Sequence, residues 1–132
     1  MKRVNIDLTI AECGTYSKKF TWQTGTPLEA VDITNYTGHM QVRAKLTSDV
    51  YLIDIPSRVA VWTPDGLTGI YFDDASEGTY RVYIKDEDTA GICATHKDID
   101  GVYDLFLYSP EGEAVLQMYG VATLVAAVTR DE

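Results

Sequence analysis

The chain has 132 residues, a formal net charge of −9 and a hydrophobic content of 45%. This length predicts a single domain, residues 1–132, that buries about two-thirds of its unfolded surface. The acidic charge argues against nucleic acid and anionic membranes as partners, because binding to phosphate groups requires clustered Lys and Arg. No apolar run approaches the roughly 18–20 residues of a membrane-spanning helix.

The N-terminus lacks the pattern of a secretory signal, since Asp7 interrupts the segment that would have to be apolar. We therefore expect the protein to be made and kept, or assembled, in the cytosol. In that compartment Cys13 and Cys93 are expected to be small buried hydrophobic residues, although the sequence leaves a disulfide between them open.

Short segments of alternating polar and apolar residues predict β-strands along the first two-thirds of the chain. The predicted strands are residues 4–11, 18–23, 38–46, 51–55, 59–62, 68–72 and 79–85. Residues 24–30 are predicted to be a loop, because Gly25 and Pro27 interrupt any pattern. Pro56 and Pro64 confine their neighbouring segments to the ends or edges of a sheet. Residues 1–12 are predicted to form an N-terminal arm or an edge strand.

The most informative segment is residues 31–43, in which a polar turn leads into a strand. The predicted buried face consists of Met40, Val42, Ala44 and Leu46. The predicted exposed face consists of His39, Gln41, Arg43 and Lys45. This period of two is typical of a half-buried strand.

The last third of the chain begins with a break in the β pattern. Residues 86–93 place three acids at the start of a predicted short helical turn, which Gly91 should end. A strand over 101–108 and a hairpin turn over 109–113 follow. Residues 114–129 are predicted to be a long final strand or a pair of strands, with Gly120 as a bend or bulge. About seven to nine short strands predict an all-β fold, an immunoglobulin-like antiparallel β-sandwich, with Tyr103 as a tyrosine corner.

No residue pattern for catalysis is found. His39 and His96 are the two histidines and are predicted to be ordinary surface residues, and no nucleophile or phosphate-binding motif occurs. The acids cluster in predicted turns at Asp73, Asp74, Glu77, residues 86–88, Asp98 and Asp100. We interpret them as solvated loops, which leaves a calcium site or a glycosidase pair open. We therefore assign no catalytic, cofactor-binding or metal-binding residue and expect no cofactor.

Aromatic residues offer a further class of function. Trp22 and Trp62 lie within apolar alternation and are predicted to pack in the core, with sugar stacking or an interface as the alternative. Tyr71, Tyr83 and Tyr108 are predicted to share an outer face that could contact a neighbouring subunit.

The order of the segments resembles a group of small tail-associated structural proteins of bacteriophages and prophages. In that group a Val-Asp-Leu-Thr-Gly-Tyr-like phrase precedes Met-Gln-Val-Arg, as residues 31–38 precede residues 40–43 here, with Asn35 in place of the usual Gly. The further matches are the acidic turn at 86–92, Tyr-Asp-Leu at 103–105, Ser-Pro-x-Gly at 109–112, and the closing segments 120–124 and 128–130. The likeness covers most of residues 17–130, and a similar layout opens the baseplate upper proteins of phages of Gram-positive hosts.

The resemblance implies a non-enzymatic virion structural protein, assembled in the host cytoplasm and present in the particle in multiple copies. Its expected place is the tail, as an adaptor near the baseplate or fibres. Its expected partners are other virion proteins and further copies of itself in a symmetric homo-oligomer. The first alternative is a capsid decoration, or cement, protein. A carbohydrate-binding module for host attachment and a glycan-cleaving enzyme are alternatives from other classes. The expected interfaces are the protruding turns and the N-terminal arm, residues 1–7, which could add a strand to a neighbour's sheet.

Overall fold

The computed structural model describes residues 4–128, and in this range the protein is all-β, as the alternating pattern predicts. The strands are β1 Val4–Asn5, β2 Leu8–Ala11, β3 Tyr16–Thr21, β4 Gln23–Thr24, β5 Glu29–Ala30, β6 Thr37–Arg43, β7 Ile53–Pro56, β8 Gly69–Asp74, β9 Thr79–Ile84, β10 Ile99–Tyr108 and β11 Ala114–Val125. Two short 3-10 turns cover Ala75–Glu77 and Asp86–Asp88. The predicted helical turn over 86–93 is therefore shorter than expected, and Gly91 follows it with a φ of 76°.

The strands form a larger sheet, a smaller sheet and a small hairpin. The larger sheet has the order β1-β11-β10-β6-β7, with β2 also paired to β11; the smaller sheet has the order β3-β9-β8. Strands β4 and β5 form the hairpin. Residues 24–30 were predicted to be a loop, but β4 overlaps the first residue of this segment and β5 forms its last two residues. A single parallel bridge between Ser57 and Ile70 links the end of β7 to β8.

The N-terminal strands differ from the prediction in direction and in partner. Strands β1 and β2 pair in parallel with β11, whereas an antiparallel sandwich was expected. The predicted strand over 4–11 is two strands, because Ile6 and Asp7 separate them. Residues 4–5 thus join the protein's own sheet rather than extending as an arm, and residues 1–3 of the predicted arm lie outside the described residues.

The inward faces of both sheets bury their apolar side chains in one core. Met40 and Val42 on β6 are fully buried, which confirms the inward face predicted for them. Strand β6 ends at Arg43, so Leu46, predicted on the same face, is 85% exposed in the following loop. The other core side chains come from β2, β7, β8, β9, β10 and β11, and they include Ile10, Ile55, Ile70, Val82, Leu105 and Leu124.

One predicted strand is absent. Residues 59–62 form a loop between β7 and β8, although Val59, Val61 and Trp62 alternate with other residues as in a strand. Alternation alone does not create a strand: Trp62 of this segment packs on Tyr83, so the loop lies over the outer face of the smaller sheet rather than along the edge of a sheet. The turn at Asn35 is confirmed, since its φ of 66° is the left-handed conformation that Asn tolerates.

Strand β11 contains a bulge at Gln117, three residues before Gly120, where a bend or bulge was predicted. Leu105 pairs with Met118 but Phe106 pairs with Leu116, so Gln117 is the additional residue. Gly120 allows the backbone at Ile6 to approach β11 closely, because a Cβ atom at position 120 would lie 2.5 Å from the Ile6 carbonyl oxygen. The bulge makes Gln117 and Met118, adjacent in sequence, both buried.

Two buried side chains bind the N-terminal strands to the rest of the fold. The Tyr103 hydroxyl donates a hydrogen bond to the Ile6 carbonyl oxygen at 2.5 Å, across 97 residues. It is therefore not a tyrosine corner, in which the hydroxyl bonds to the backbone a few residues upstream. Burial raises the pKa of Tyr103, with smaller contributions from Tyr16 and Asp7. Buried Glu12 accepts hydrogen bonds from the backbone N–H groups of Cys93 and Ala127.

Of the two cysteines, Cys93 is buried, as expected, with its Sγ 3.6 Å from the Leu124 carbonyl oxygen. Cys13 is a free and only half-buried thiol. The prediction that both are buried is therefore correct for Cys93 alone.

Candidate interaction surfaces

His39 belongs to a polar network on the outer face of the larger sheet. Its Nε2 lies 2.6 Å from Asp54 Oδ1, the same oxygen to which Gln41 Nε2 donates a hydrogen bond at 2.9 Å. Burial would raise the pKa of Asp54, but the hydrogen bonds from His39 and Gln41 outweigh it and lower the pKa below its ordinary value. Gln41 in turn accepts a hydrogen bond from Arg43 at 2.8 Å. This network joins the edge strand β7 to β6 through side chains.

His96 lies in an exposed loop with a φ of 59°. In the described chain, no hydroxyl or thiol donates a hydrogen bond to the ring of either His39 or His96. The two histidines thus lie in the places expected of surface residues, and the geometry brings neither to a nucleophile.

The predicted acidic clusters separate into local contacts. Asp73 pairs with Arg81 at 2.9 Å and with Lys19 at 3.7 Å. Asp98 accepts a hydrogen bond from Ala126 N–H, and Asp88 accepts one from the Thr68 hydroxyl. Four further acids of these clusters also have local contacts: Asp74 with Ser76, Asp86 with the Glu87 N–H, Glu87 with Lys85 and Asp100 with Thr123. Within residues 4–128, no group of three or more His, Cys, Asp or Glu side chains converges as a metal site.

The aromatic residues do not form the exposed tyrosine face that the sequence predicts. Tyr71 and Tyr83 share the outer face of the smaller sheet, but loop 57–68 covers them, and both are 3% exposed. Their hydroxyls donate to the carbonyl oxygens of Leu67 and Pro64 in that loop. Tyr108 lies on the larger sheet, where it stacks on Phe106. The predicted contact surface is thus buried under a loop.

The tryptophans are both half-buried. Trp22 packs against the core, as predicted, and meets Tyr36 edge-on at 6.3 Å. Trp62 lies outside the core: it packs on Tyr83, and the Arg81 guanidinium lies 3.9 Å from its ring centroid. The core prediction is therefore correct for Trp22 and wrong for Trp62, which holds loop 57–68 against the smaller sheet.

Two loops next to the ends of the edge strand β7 expose large apolar side chains. In loop 57–68, Val59 is fully exposed and Val61 is 89% exposed. In loop 44–52 the exposed apolar side chains are Leu46, Val50 and Tyr51. We call these two segments the apolar loops. A cleft of about 520 Å³ lies against residues 57–62 and is also lined by Tyr36 and Phe72. The concentration of exposed apolar side chains in these two loops makes them a candidate interaction surface.

A second cleft, of about 690 Å³, opens between the two sheets where β3 and the β4–β5 hairpin face β1 and β11. We call it the β3 cleft. Its lining residues are uncharged: Ile6, Phe20, Thr21, Trp22, Gln23, Thr24, Gly25, Thr26, Leu28, Tyr80, Gln117 and Met118. Gln117 is 7% exposed, and its Nε2 has no hydrogen-bond acceptor in the described part of the chain. Sequence reasoning missed this residue, because alternation along β11 places Gln117 opposite Leu116 and Met118, on the outer face.

The comparisons with known proteins give no assignment. No model of a known protein family matches the chain, and no curated protein matches it either. Among residues 4–128, no helix has the length and apolar character required to cross a bilayer.

Proposed function

We propose that the protein is a non-enzymatic virion structural protein of a bacteriophage, an adaptor in the tail, baseplate or fibre that is assembled in multiple copies. In this proposal the two sheets form an immunoglobulin-like β-sandwich, modified by the parallel pairing of β1 and β2 with β11. The observation that carries the proposal is the pair of apolar loops on a chain with a net charge of −9. The segment order that resembles phage tail proteins gives the biological setting.

The apolar loops favour docking to a partner protein, because docking would remove their exposed side chains from water. Burying a Val or Leu side chain against a partner contributes about 1.5–3 kcal/mol. Docking both Val59 and Val61 would thus contribute about 3–6 kcal/mol, which offsets part of the cost of association and of the charge repulsion between acidic copies. Loop 57–68 is itself fixed to the smaller sheet by the hydroxyls of Tyr71 and Tyr83, so little loop ordering is required on docking.

The proposal is tested first by location. Particles are purified from the phage, or from the induced prophage, that encodes the chain, and antibodies against the purified protein are followed by immunogold electron microscopy. We expect label at the tail tip or the fibres. Label distributed over the head would support the decoration protein instead, and absence of the protein from the particles would refute a virion role. The gene neighbourhood gives an independent check: tail and fibre genes for an adaptor, the major capsid gene for a decoration protein.

The role of the apolar loops is tested by a matched pair of variants. The double variant Val59→Ser and Val61→Ser should reduce incorporation into particles at least about tenfold, because both side chains lose their docking contribution. Its free energy of unfolding should stay within about 0.5 kcal/mol of the unmodified protein, since both side chains are exposed. The control is Val128→Ser, which changes a valine that is 95% exposed outside these loops. Equal incorporation of the two variants would contradict docking through loop 57–68.

A further inference from the structure

We propose that β3 and the β3 cleft bind an extended segment of a partner protein, which adds a strand to β3, inserts a tyrosine beside Phe20 and places an acidic residue beside Lys18. This surface is separate from the apolar loops, so the proposal does not depend on the phage assignment. It rests on the edge of β3 that pairs with no strand among residues 4–128, on the cleft behind that edge and on the buried amide of Gln117.

Strand β3 is the end of the smaller sheet, and its outward hydrogen-bonding groups can be identified. The Trp22 N–H donates to the Gly78 carbonyl oxygen at 2.9 Å, and the register places these two residues opposite each other. Since bonded and non-bonded pairs alternate in an antiparallel ladder, the N–H and C=O groups of Ser17, Lys19 and Thr21 point away from β9. An extended segment could therefore pair with this edge.

The side chains of β3 define which segment fits. Phe20 stacks on Tyr80, with ring centroids 5.8 Å apart, and therefore faces inward. Lys18 is two residues away on the same face, with its ammonium group 5.6 Å from the Phe20 ring centroid. An inward-pointing lysine on an edge strand disfavours unspecific pairing with apolar edges. It favours a strand that carries an acid beside it, because opposite charges on neighbouring strands attract.

The cleft behind this edge favours an uncharged, largely apolar side chain. A strand added beside β3 would direct alternate side chains between the two sheets, into the β3 cleft. There it would meet the apolar side chains of Ile6, Phe20 and Met118 and, among residues 4–128, no charged side chain. The cleft thus excludes charged groups and accepts an apolar one.

Gln117 adds one specific requirement. Its Nε2 is buried and lacks an acceptor, and a buried unsatisfied donor costs about 1–3 kcal/mol. The bulge in β11 turns this side chain inward, and bulges commonly redirect a side chain at a functional site. An apolar side chain that carries an acceptor oxygen at its far end would satisfy the amide. Tyrosine has this form, and its hydroxyl can accept from Gln117 while it donates elsewhere. Because side chains on one face of a strand are two residues apart, the expected pattern is an acid and a tyrosine separated by one residue, in either order.

The probe is a set of four synthetic heptapeptides with blocked ends and threonine at the other positions. They carry Glu-Thr-Tyr or Tyr-Thr-Glu, each with a matched version in which Phe replaces Tyr. Binding to the full chain is measured by calorimetry. Nuclear magnetic resonance follows the backbone amides of Ser17, Lys19 and Thr21 and the side-chain amide of Gln117. We expect at least one Tyr peptide to bind with a Kd below about 1 mM and to shift these signals. If no peptide of the set binds below about 1 mM, the proposal is overturned.

A double-mutant cycle tests the contact with Gln117. The variant Gln117→Met keeps the length of the side chain and removes the donor. We expect it to weaken the Tyr peptide about fivefold and to leave the Phe peptide within about twofold, because only the Tyr peptide has the acceptor. Equal effects on both peptides would overturn the assignment of the tyrosine hydroxyl to Gln117.

A second pair of variants tests the strand addition. Thr21→Pro removes an outward N–H from the edge without removing a ladder bond to β9, and its ring obstructs a new strand. The matched control Thr21→Val keeps the N–H and loses the same hydroxyl. We expect the proline variant to bind at least tenfold more weakly than the valine variant, because only the proline variant lacks the outward N–H. Equal binding by the two variants overturns the proposal. A neutral hexasaccharide is tested as a second probe, and its binding in the β3 cleft while no peptide binds also overturns the proposal. Circular dichroism of both variants checks that the fold is kept, and the Gln117 cycle remains decisive if the proline variant unfolds.

Discussion

The buried carboxylate of Glu12 should contribute more to stability than any exposed acid of this chain. It is 4% exposed, and its two oxygens accept hydrogen bonds from backbone groups of distant segments. Oε2 accepts from the Cys93 N–H at 2.9 Å, and Oε1 accepts from the Ala127 N–H at 3.0 Å. One side chain therefore connects the end of β2 with the turn before β10 and with the chain that follows β11.

The expected magnitude follows from these two bonds. A hydrogen bond to a charged group contributes about 1.5–3 kcal/mol. The bond from Cys93 is buried, whereas the bond from Ala127 is only partly buried, so water can replace part of the second one. We expect Glu12→Ala to lower the free energy of unfolding by about 3 kcal/mol. Glu12→Gln keeps one acceptor oxygen and should cost about 1.5 kcal/mol.

Urea unfolding followed by tryptophan fluorescence measures this effect, because Trp22 and Trp62 are both half-buried. The control is Glu111→Ala, which removes an exposed carboxylate from the hairpin turn with the same change of net charge. It should stay within about 0.5 kcal/mol of the unmodified protein. If the free energies of unfolding of Glu12→Ala and Glu111→Ala agree within about 0.5 kcal/mol, the connecting role of Glu12 is wrong.

Two further predictions concern the N-terminal strand and the outer network. Tyr103→Phe removes the hydrogen bond to Ile6 and should lower the free energy of unfolding by about 1 kcal/mol. It should also speed amide hydrogen exchange in β1 and β2, and unchanged exchange would contradict the contact. Asp54 has a lowered pKa in the folded state, so its contribution is complete above its ordinary pKa of 3.8 and is lost as the pH falls through the folded value. Between about pH 5 and pH 3 the unmodified protein should therefore lose more stability than Asp54→Asn in urea unfolding, and parallel losses would show that His39 and Gln41 do not stabilise the carboxylate.

Local residue patterns predicted the all-β class and most of the longer strands. The alternation around Met40 and Val42 predicts a half-buried strand, and both side chains are buried on β6. The turn before it could also be predicted, since Asn35 is one of the few residues that tolerate a positive φ. These predictions hold because side-chain direction along a strand and backbone freedom at a turn depend on neighbouring residues.

The candidate surfaces could be predicted much less well. Residues 59–62 alternate like a strand, yet they lie in a loop in which Val59 is exposed. Tyr71 and Tyr83 have the pattern of an outer face, and only the folded chain shows that loop 57–68 covers them. A sequence pattern gives the direction of a side chain but not what packs over it.

The sequence by itself thus determined an all-β protein with a polar turn at Asn35 and an inward face at Met40 and Val42. The tertiary structure alone decided that β1 and β2 pair in parallel with β11, that Glu12 joins distant segments, and that a bulge turns Gln117 into the β3 cleft. The physical reason is that strand pairing and bulges depend on contacts between residues far apart in the chain, with energies that no local pattern records.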